Sequence, residues 1–330
     1  MSKLVPRCGE TLNGRWKLGK KIAEGGVGFI FEASDLENKG EKVALKLMRP
    51  EAAQNEFVRK RFQSEGKIAA SLGQLGNVEV DETEKGIPFF TMGLLKGSDL
   101  ATMRNESPEE RLPVEEVVPA IAQALNVLAS AHRKGIIHCD IKPDNIFVTD
   151  EGQVKVIDFG IAQLKGGGRF PDGKFYGTQG YAPPEQILGK RVDSRSDVYS
   201  IGAAAFELLT GVCAETDVPP VRDAAPHVPS DIARIIDKAL SPDPAQRYAD
   251  AGAMLNALMP RLVKAVPKEP REPKSAVRAV TPAKPLAKSP VKPAVRIAPF
   301  ALPKPPAVSL KLTAVTAVKP HVLALMREYR

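Results

Sequence analysis

The sequence predicts an α+β fold with a β-rich N-terminal part and an extended, largely disordered C-terminal tail. Segments 16–22 and 29–33 have the composition of strands and flank a glycine-rich turn, and 43–46 has that of a buried strand. Segment 57–72 instead carries apolar residues at helical spacing: Phe57, Phe62, Ile68, Ala69 and Leu72. The tail, 264–330, contains 12 of the 29 prolines, which excludes long helices and central strands there.

The turn between the first two predicted strands, 23–28, has the sequence Ala-Glu-Gly-Gly-Val-Gly. Because glycine has no Cβ, its backbone can approach a phosphate closely and turn sharply. No helical pattern follows the glycines directly, which argues against a dinucleotide-binding turn, since that turn must begin a helix. By itself the segment fits a flexible hairpin turn equally well.

The most informative motif lies at 138–145, His-Cys-Asp-Ile-Lys-Pro-Asp-Asn, and is followed thirteen residues later by Asp-Phe-Gly at 158–160. Phosphoryl transfer needs a carboxylate to orient and deprotonate the attacking hydroxyl, and hard oxygen ligands for Mg²⁺. Asp140 suits the first role, and Asn145 and Asp158 suit the second. Lys142 can reach the transferring phosphate. The ordered pair of motifs therefore predicts a phosphotransferase site.

A lysine and a glutamate upstream support this prediction. Lys46 ends the predicted buried strand 43–46, where it can hold phosphates as a point charge. Glu65 follows nineteen residues later within the predicted helix and is the candidate partner of Lys46. A solvated helix carboxylate is the alternative interpretation of Glu65 taken alone.

With these motifs in order, residues 15–262 resemble a protein Ser/Thr kinase of the eukaryotic-like type found in bacteria. Five further segments carry the resemblance: 13–18, 177–181, 184–185, 197–202 and 244–248. The resemblance implies a two-lobed protein-kinase fold with a small β-rich N-lobe and a larger helical C-lobe. The implied boundaries are an N-terminal extension at 1–14, the N-lobe at 15–92, the C-lobe at 93–263 and the tail at 264–330.

The resemblance also implies the chemistry and its residues. ATP would bind between the lobes with Mg²⁺, or Mn²⁺ in its place, and the substrates would be proteins. Asp140, Lys142 and Thr178 would be catalytic, and the last two are the choices of Ser/Thr kinases rather than tyrosine kinases. Asn145 and Asp158 would bind the metal. The nucleotide would contact the glycine loop, the pair of Lys46 with Glu65, the hinge at 92–94 and the apolar walls around adenine. The residues are Ile22, Ala23, Glu24, Gly25, Gly26, Val27, Gly28, Ile30, Ala44, Lys46, Glu65, Met92, Leu94 and Phe147.

The sequence departs from the family pattern near the activation segment. Cys139 stands where many kinases carry an arginine that binds a phosphorylated residue of that segment. Between Gly160 and Gly177 there is no Ser or Thr, and Tyr176 is the only hydroxyl. We therefore expect basal activity that does not require phosphorylation of this segment. Segment 212–227 is short and contains prolines where kinases carry a substrate-docking helix, which puts recognition of protein substrates in doubt.

The positive charge of the chain belongs to its tail. The formal net charge is +8, yet 264–330 holds 14 basic and 3 acidic residues, so the rest of the chain is slightly acidic. A solvated spacer and a polybasic tether for nucleic acid, acidic lipid or an acidic protein both fit this composition. Its aromatic residues are only Phe300 and Tyr329, so base stacking is not expected. At the end of the tail, Val322, Leu325, Met326 and Tyr329 have the spacing of one helix face, which fits a docking helix or a frayed end.

Three widely spaced cysteines show neither a disulfide framework nor a zinc pattern. We see no signal peptide and no apolar run long enough to span a membrane, and we therefore expect a cytoplasmic protein. Two other functions remain as alternatives. A pseudokinase scaffold would usually have lost one of the motif residues, and all are present. A small-molecule phosphotransferase of kinase-like fold would generally lack the peptide-receiving segment 178–185.

Overall fold

Six antiparallel strands form a sheet in the N-terminal part of the chain, in the spatial order β1-β2-β3-β4-β6-β5. Their bounds are β1 Thr11–Leu12, β2 Trp16–Glu24, β3 Gly28–Asp35, β4 Glu41–Met48, β5 Glu79–Glu82 and β6 Pro88–Gly93. A computed structural model describes residues 7–164, 175–214 and 218–265 of this chain, all within one unit, Met1–Val266. The strands predicted at 16–22, 29–33 and 43–46 are confirmed.

Two helices interrupt the sheet in sequence, α1 (Pro50–Ala53) and α2 (Glu56–Leu72). The Asn55 side chain caps α2 by accepting from the first amides, and Gly73, at φ +66°, ends it. Helix α2 packs closely on β6, since a Cβ on Gly66 would come within 3.1 Å of Phe90. The helix predicted at 57–72 is confirmed, and its buried face points Glu65 toward the sheet.

The second part of the described chain is mainly helical, and α6 lies at its centre. The helices are α3 Leu100–Glu106, α4 Val114–Arg133, α5 Pro184–Ile187, α6 Ser194–Thr210, α7 Val221–Ala224, α8 Ser230–Ala239 and α9 Ala251–Ala265. Helix α6 is buried along almost its whole length and packs against α4, α8 and α9. A helix buried all round is a core element, so α6 can act as a rigid support for the loops around it.

Short strands frame the loops that carry the motifs. Strands β7 (Gly97–Asp99), β9 (Ile146–Thr149) and β10 (Val154–Val156) form one small sheet, in the order β10-β9-β7. Strands β8 (Ile136–Ile137) and β11 (Gln163–Leu164) pair with each other. The segment 138–145 follows β8 directly, and its last three residues form a single 3₁₀ turn.

The predicted fold class is confirmed: a β-rich part precedes a helical part. The exact lobe boundaries stay predictions. The tail from 266 onward, with the predicted helix face at 322–329, and most of the segment between Gly160 and Tyr176 lie outside the described residues, whereas 264–265 belong to α9. In the described parts of 212–227, one-turn helix α7 is the sole helix. None of the helices in the described ranges is long and apolar enough to cross a bilayer.

Candidate active site

Lys46 and Glu65 form the predicted ion pair, which lies beside Asp158, one of the two predicted metal ligands. Lys46 Nζ, on β4, is 2.6 Å from Glu65 Oε1 on α2 and 3.5 Å from Asp158 Oδ1. Glu65 is buried, whereas the side chain of Asp158 is half exposed. The three charges therefore form a triad in which the ammonium is shared between a buried carboxylate and one that faces open space.

The electrostatics favour the charged forms of Lys46 and Asp158. Burial lowers the pKa of Lys46, but Glu65 and Asp158 outweigh that effect, so its pKa is raised and the ammonium persists. The partial loss of solvent around Asp158 opposes its ionisation, and the positive charge of Lys46 together with His138 lowers its pKa nevertheless. Burial raises the pKa of Glu65, and Lys46 opposes the rise. A positive group and an ionised carboxylate thus stand side by side.

Asp140 and Lys142 meet at the hydroxyl of Thr178. This hydroxyl donates to Asp140 Oδ1 at 2.8 Å and accepts from Lys142 Nζ at 3.1 Å. Asn145 Nδ2 donates to the Asp140 carbonyl at 2.8 Å, which leaves the amide oxygen of Asn145 available as a ligand. The structure therefore brings together all three residues predicted to be catalytic and places Asn145 next to them.

Asp197, at the start of α6, holds the segment 138–145 in place, and we call this segment the catalytic loop. It accepts the backbone N–H of His138 at 2.8 Å and of Cys139 at 2.9 Å, and it lies 2.9 Å from His132 Nε2. Burial of this carboxylate is outweighed by these partners, and its pKa is lowered. Cys139 has φ +67°, a left-handed conformation that costs a non-glycine residue about 1–3 kcal/mol. The two bonds to Asp197 over-determine the loop and so maintain that conformation.

The triplet at 158–160 is anchored by its middle residue. The Phe159 ring is buried and packs on His138, with ring centroids 4.3 Å apart, and His138 Nε2 is 3.1 Å from the Ile157 carbonyl. Asp158 itself has φ +62°. Because the strained residue lies between two fixed neighbours, its carboxylate is held in one direction, toward Lys46.

The glycine loop is fastened by Arg49, a residue that sequence reasoning missed. Arg49, just after β4, donates to the Gly25 carbonyl at 2.9 Å and pairs with Glu24 at 2.5 Å. Its guanidinium also lies 4.2 Å from the Phe29 ring centroid, and its backbone N–H donates to the Val27 carbonyl. The Glu24 side chain is thus turned toward Arg49, and what it can offer a nucleotide is its backbone. Only the tertiary contact identifies Arg49, since nothing in its local sequence marks it.

The loop leaves room for a phosphate-bearing ligand. A Cβ added to Gly26 would meet no atom within 4 Å, and one on Gly25 only the Gly28 carbonyl at 4.0 Å. Crowding within the protein therefore does not explain these two glycines, whereas close approach of a ligand would. Gly28 differs, since a Cβ there would lie 2.5 Å from the Leu47 carbonyl.

Three of the residues predicted to contact the nucleotide, Ile30, Ala44 and Met92, share the sheet face that carries Lys46. Ile30 is directly opposite Lys46 in the strand register, and Ala44 lies two residues before it and opposite Met92. Ile22 is 46% exposed at the end of β2, and Phe147 and Leu94 are partly buried. Ala23 lies within β2, paired with Ile30, so its methyl group is compatible with the loop.

The donors also suit a metal that arrives with phosphates. Among the described residues, no group of three or more His, Cys, Asp or Glu side chains is arranged to hold an ion. Asn145 and Asp158 supply two hard oxygen ligands, and Mg²⁺ is typically bound by one or two carboxylates together with substrate phosphates.

The segment after Tyr176 is tied to the catalytic loop by Gln186, also missed in the sequence. Its Nε2 donates to the Cys139 carbonyl at 2.8 Å and to the Tyr176 carbonyl at 2.6 Å. Gly177, at φ +136°, has no room for a side chain, because a Cβ would lie 2.6 Å from Gln186. The adjacent Glu185 pairs with the buried Arg247 at 2.8 Å. Gln186 and Glu185 both belong to α5, which therefore fixes the segment after Tyr176 next to the catalytic loop.

A β-sheet part with a lysine–glutamate pair precedes a helical part with Asp140 and Asp158. This arrangement is typical of the two-lobed kinase fold. Comparison with protein families narrows the class. The family described as "Protein kinase domain" matches residues 16–258, and the chain belongs to that family.

Similar proteins agree with this assignment. The serine/threonine-protein kinase PknL of Mycobacterium tuberculosis is 35% identical over 260 residues, covering 74% of this chain and 64% of PknL. A probable serine/threonine-protein kinase of Bifidobacterium longum, pknA2, is 34% identical over 242 residues, covering 71% of this chain and 31% of that protein. The crystal structure of the Mycobacterium tuberculosis PknI kinase domain has a TM-score of 0.63 at 24% identity, covering 78% of this chain and 100% of that domain, and shows the shared fold. This chain thus spans less than two thirds of the length of the first two relatives.

Proposed function

We propose that the protein is an ATP-dependent protein kinase that transfers the γ-phosphoryl group to serine and threonine hydroxyls of protein substrates. The observation that carries this proposal is the hydroxyl of Thr178, bonded to Asp140 at 2.8 Å and to Lys142 at 3.1 Å. A serine or threonine of a substrate presents the same chemical group. Asp140 can therefore orient such a hydroxyl and accept its proton as the new P–O bond forms and the bond to ADP breaks.

The other residues have matching roles in this proposal. Lys46, held by Glu65, binds the α- and β-phosphates as a point charge, and the amides of 25–28 donate to the phosphates. Lys142 offsets the negative charge of the group in transfer. Asn145 and Asp158 hold Mg²⁺, or Mn²⁺ in its place. When bound, the metal would supply positive charge that offsets the negative charge of the phosphates.

Purified full-length protein, incubated with γ-labelled ATP, Mg²⁺ and a generic basic protein, tests the proposal. We expect labelled phosphoserine and phosphothreonine in the wild-type reaction and none with Asp158→Ala. Asp150→Ala, which removes an exposed carboxylate from a turn, is the matched control and should retain the wild-type rate. Label on tyrosine alone would contradict the Ser/Thr assignment. Nucleotide binding without transfer would favour the pseudokinase scaffold, and transfer only to small molecules the third alternative.

The partners follow from the same proposal. The substrates are proteins whose Ser or Thr can enter beside 177–182, and the identity of these proteins depends on surfaces around the short segment 218–227. An acidic partner for the tail remains a prediction from its charge alone. The lobe boundaries at 92/93 and 263/264 are proposed on the sequence resemblance; the first lies one residue before the end of β6 at Gly93, and the second lies within α9.

A further inference from the structure

One face of α2 contacts both the nucleotide-binding lysine and the activation segment. Phe57, Arg61 and Glu65 are spaced four residues apart and so lie one above the other on the helix. Glu65 holds Lys46 at 2.6 Å. The other two meet the ring of Tyr176, which completes a stack of three side chains next to the Lys46 pair.

In this stack the guanidinium lies near both ring centroids, and the three groups form a triangle rather than a sandwich. Arg61 Cζ lies 4.6 Å from the centroid of the Tyr176 ring and 5.3 Å from that of Phe57. The rings of Phe57 and Tyr176 have centroids 6.3 Å apart and are tilted by 48°. Each contact lies within the range in which cation–π and aromatic pairs attract. This attraction acts on the unphosphorylated ring of Tyr176 and does not need the charge of a phosphate.

The backbone of Tyr176 continues the connection to the catalytic loop. Its carbonyl accepts from Gln186, and the second N–H of that amide donates to the carbonyl of Cys139, which precedes Asp140. Cys139 is buried and carries no positive charge, and burial raises the pKa of its thiol, an effect that Arg61 opposes. Tyr176 therefore joins α2 through its side chain to the catalytic loop through its backbone.

We propose that Arg61 and Phe57 are positioning residues, which stack on the unphosphorylated Tyr176 ring and thereby hold α2 where Glu65 reaches Lys46. This inference rests on the proposed kinase function. It assigns to an aromatic stack the connection between α2 and the activation segment. In this proposal the ring of Tyr176, rather than its hydroxyl, makes the contact with α2.

Ring replacement gives the sharpest test, carried out on the full-length chain. Tyr176→Ala should lower kcat roughly tenfold. Without the stack, the population of molecules in which α2 brings Glu65 to Lys46 should fall by a factor set by the strength of the lost contacts. Tyr176→Phe keeps the ring and removes the hydroxyl, and it should retain kcat within about twofold. Equal losses in both variants would overturn the proposal, since the hydroxyl or its phosphate would then be the essential group. Unchanged kcat in Tyr176→Ala would overturn it as well.

Arg61→Ala tests the other side of the contact. It should lower kcat to a similar extent, and the double variant with Tyr176→Ala should lose no more than the larger single loss, since both remove one contact. Losses that multiply would overturn the proposal. Lys60→Ala removes the adjacent, solvent-exposed cation of α2, and Phe175→Ala the neighbouring exposed ring. Both controls should retain kcat, and a loss in either equal to that of the stack variants would also overturn the proposal.

Hydrogen exchange of the α2 amides separates this proposal from the kinase function itself. Exchange across 56–72 should be faster in Tyr176→Ala than in wild type and unchanged in Tyr176→Phe. That result in a protein that transfers no phosphate would support the stack and refute the kinase function. Equal exchange in all three proteins would refute the stack, whatever the activity.

Discussion

The buried pair of Arg247 and Glu185 should be the most sensitive point of the helical part. The Arg247 side chain is fully buried, and all five of its N–H donors are used. Two N–H groups form a fork on the Glu185 carboxylate at 2.8 and 2.9 Å, and the other three donate to backbone carbonyls, those of Ser241, Arg195 and Pro242.

Removing Arg247 leaves a buried carboxylate without its cation. The expected cost is about 3–5 kcal/mol of unfolding free energy for Arg247→Ala, because the stranded charge loses its cation and, among hydrogen bonds from described side chains, keeps that of the Ser196 hydroxyl. For a domain of this size that corresponds to a fall in Tm of roughly 6–20 °C. Arg234→Ala, at an exposed position of α8, should change stability by less than about 0.5 kcal/mol. Calorimetry or thermal denaturation followed by circular dichroism measures both.

Two further variants test the physical reason. Arg247→Lys keeps the charge but not the fork, and its Tm should lie between those of wild type and Arg247→Ala. Adding Glu185→Gln to Arg247→Ala should raise the Tm above that of the single variant, since an amide replaces the stranded charge. Equal Tm values for Arg247→Ala and Arg234→Ala would refute the reasoning, and so would a double variant less stable than the single one.

Three other outcomes are expected. Asp158→Ala should abolish phosphate transfer but leave the Tm near that of wild type, because the carboxylate is half exposed; a large fall in Tm would contradict its assignment as a metal ligand. Arg49→Ala should raise the KM for ATP several-fold with a smaller effect on kcat, since the glycine loop loses its anchor. Arg59 also donates to a backbone carbonyl, that of Gly86, and pairs with a glutamate, Glu82. Arg59→Ala should leave the KM for ATP unchanged. Phosphatase treatment, checked by mass spectrometry, should leave the initial rate intact; a loss restored only by phosphate on Tyr176 or Thr178 would contradict this.

The candidate catalytic and metal-binding residues could be proposed from the sequence because the chemistry limits their identity. A proton acceptor for a hydroxyl, oxygen ligands for Mg²⁺ and a cation for phosphates can each be met by few side chains. Their order along the chain then identified Lys46, Asp140 and Asp158, and the structure brings Lys46 to Asp158 and Asp140 to Thr178. The strands and α2 followed from periodicity, since one face of each element is buried.

The residues that position the loops of the candidate site could not be predicted in this way. Gln186 acts because the carbonyls of Cys139 and Tyr176 happen to converge on it, and any donor of the right length would satisfy them. Arg49 and Arg61 have no local signature either, since an arginine on a helix or after a strand is usually a solvated surface group. Such contacts are set by the tertiary path of the chain, which the local sequence does not encode.

Cys139 supports the site through its backbone rather than through its side chain. Its N–H binds Asp197, its carbonyl binds Gln186, and its φ is left-handed. Its thiol is buried and uncharged, so a phosphate on the activation segment would find no cation at this position. The catalytic loop is fixed from within by two buried hydrogen bonds to Asp197, and α2 is fixed by the Arg61 stack. Both supports exist without any modification, which is the physical reason to expect a kinase whose basal rate does not depend on phosphorylation of that segment.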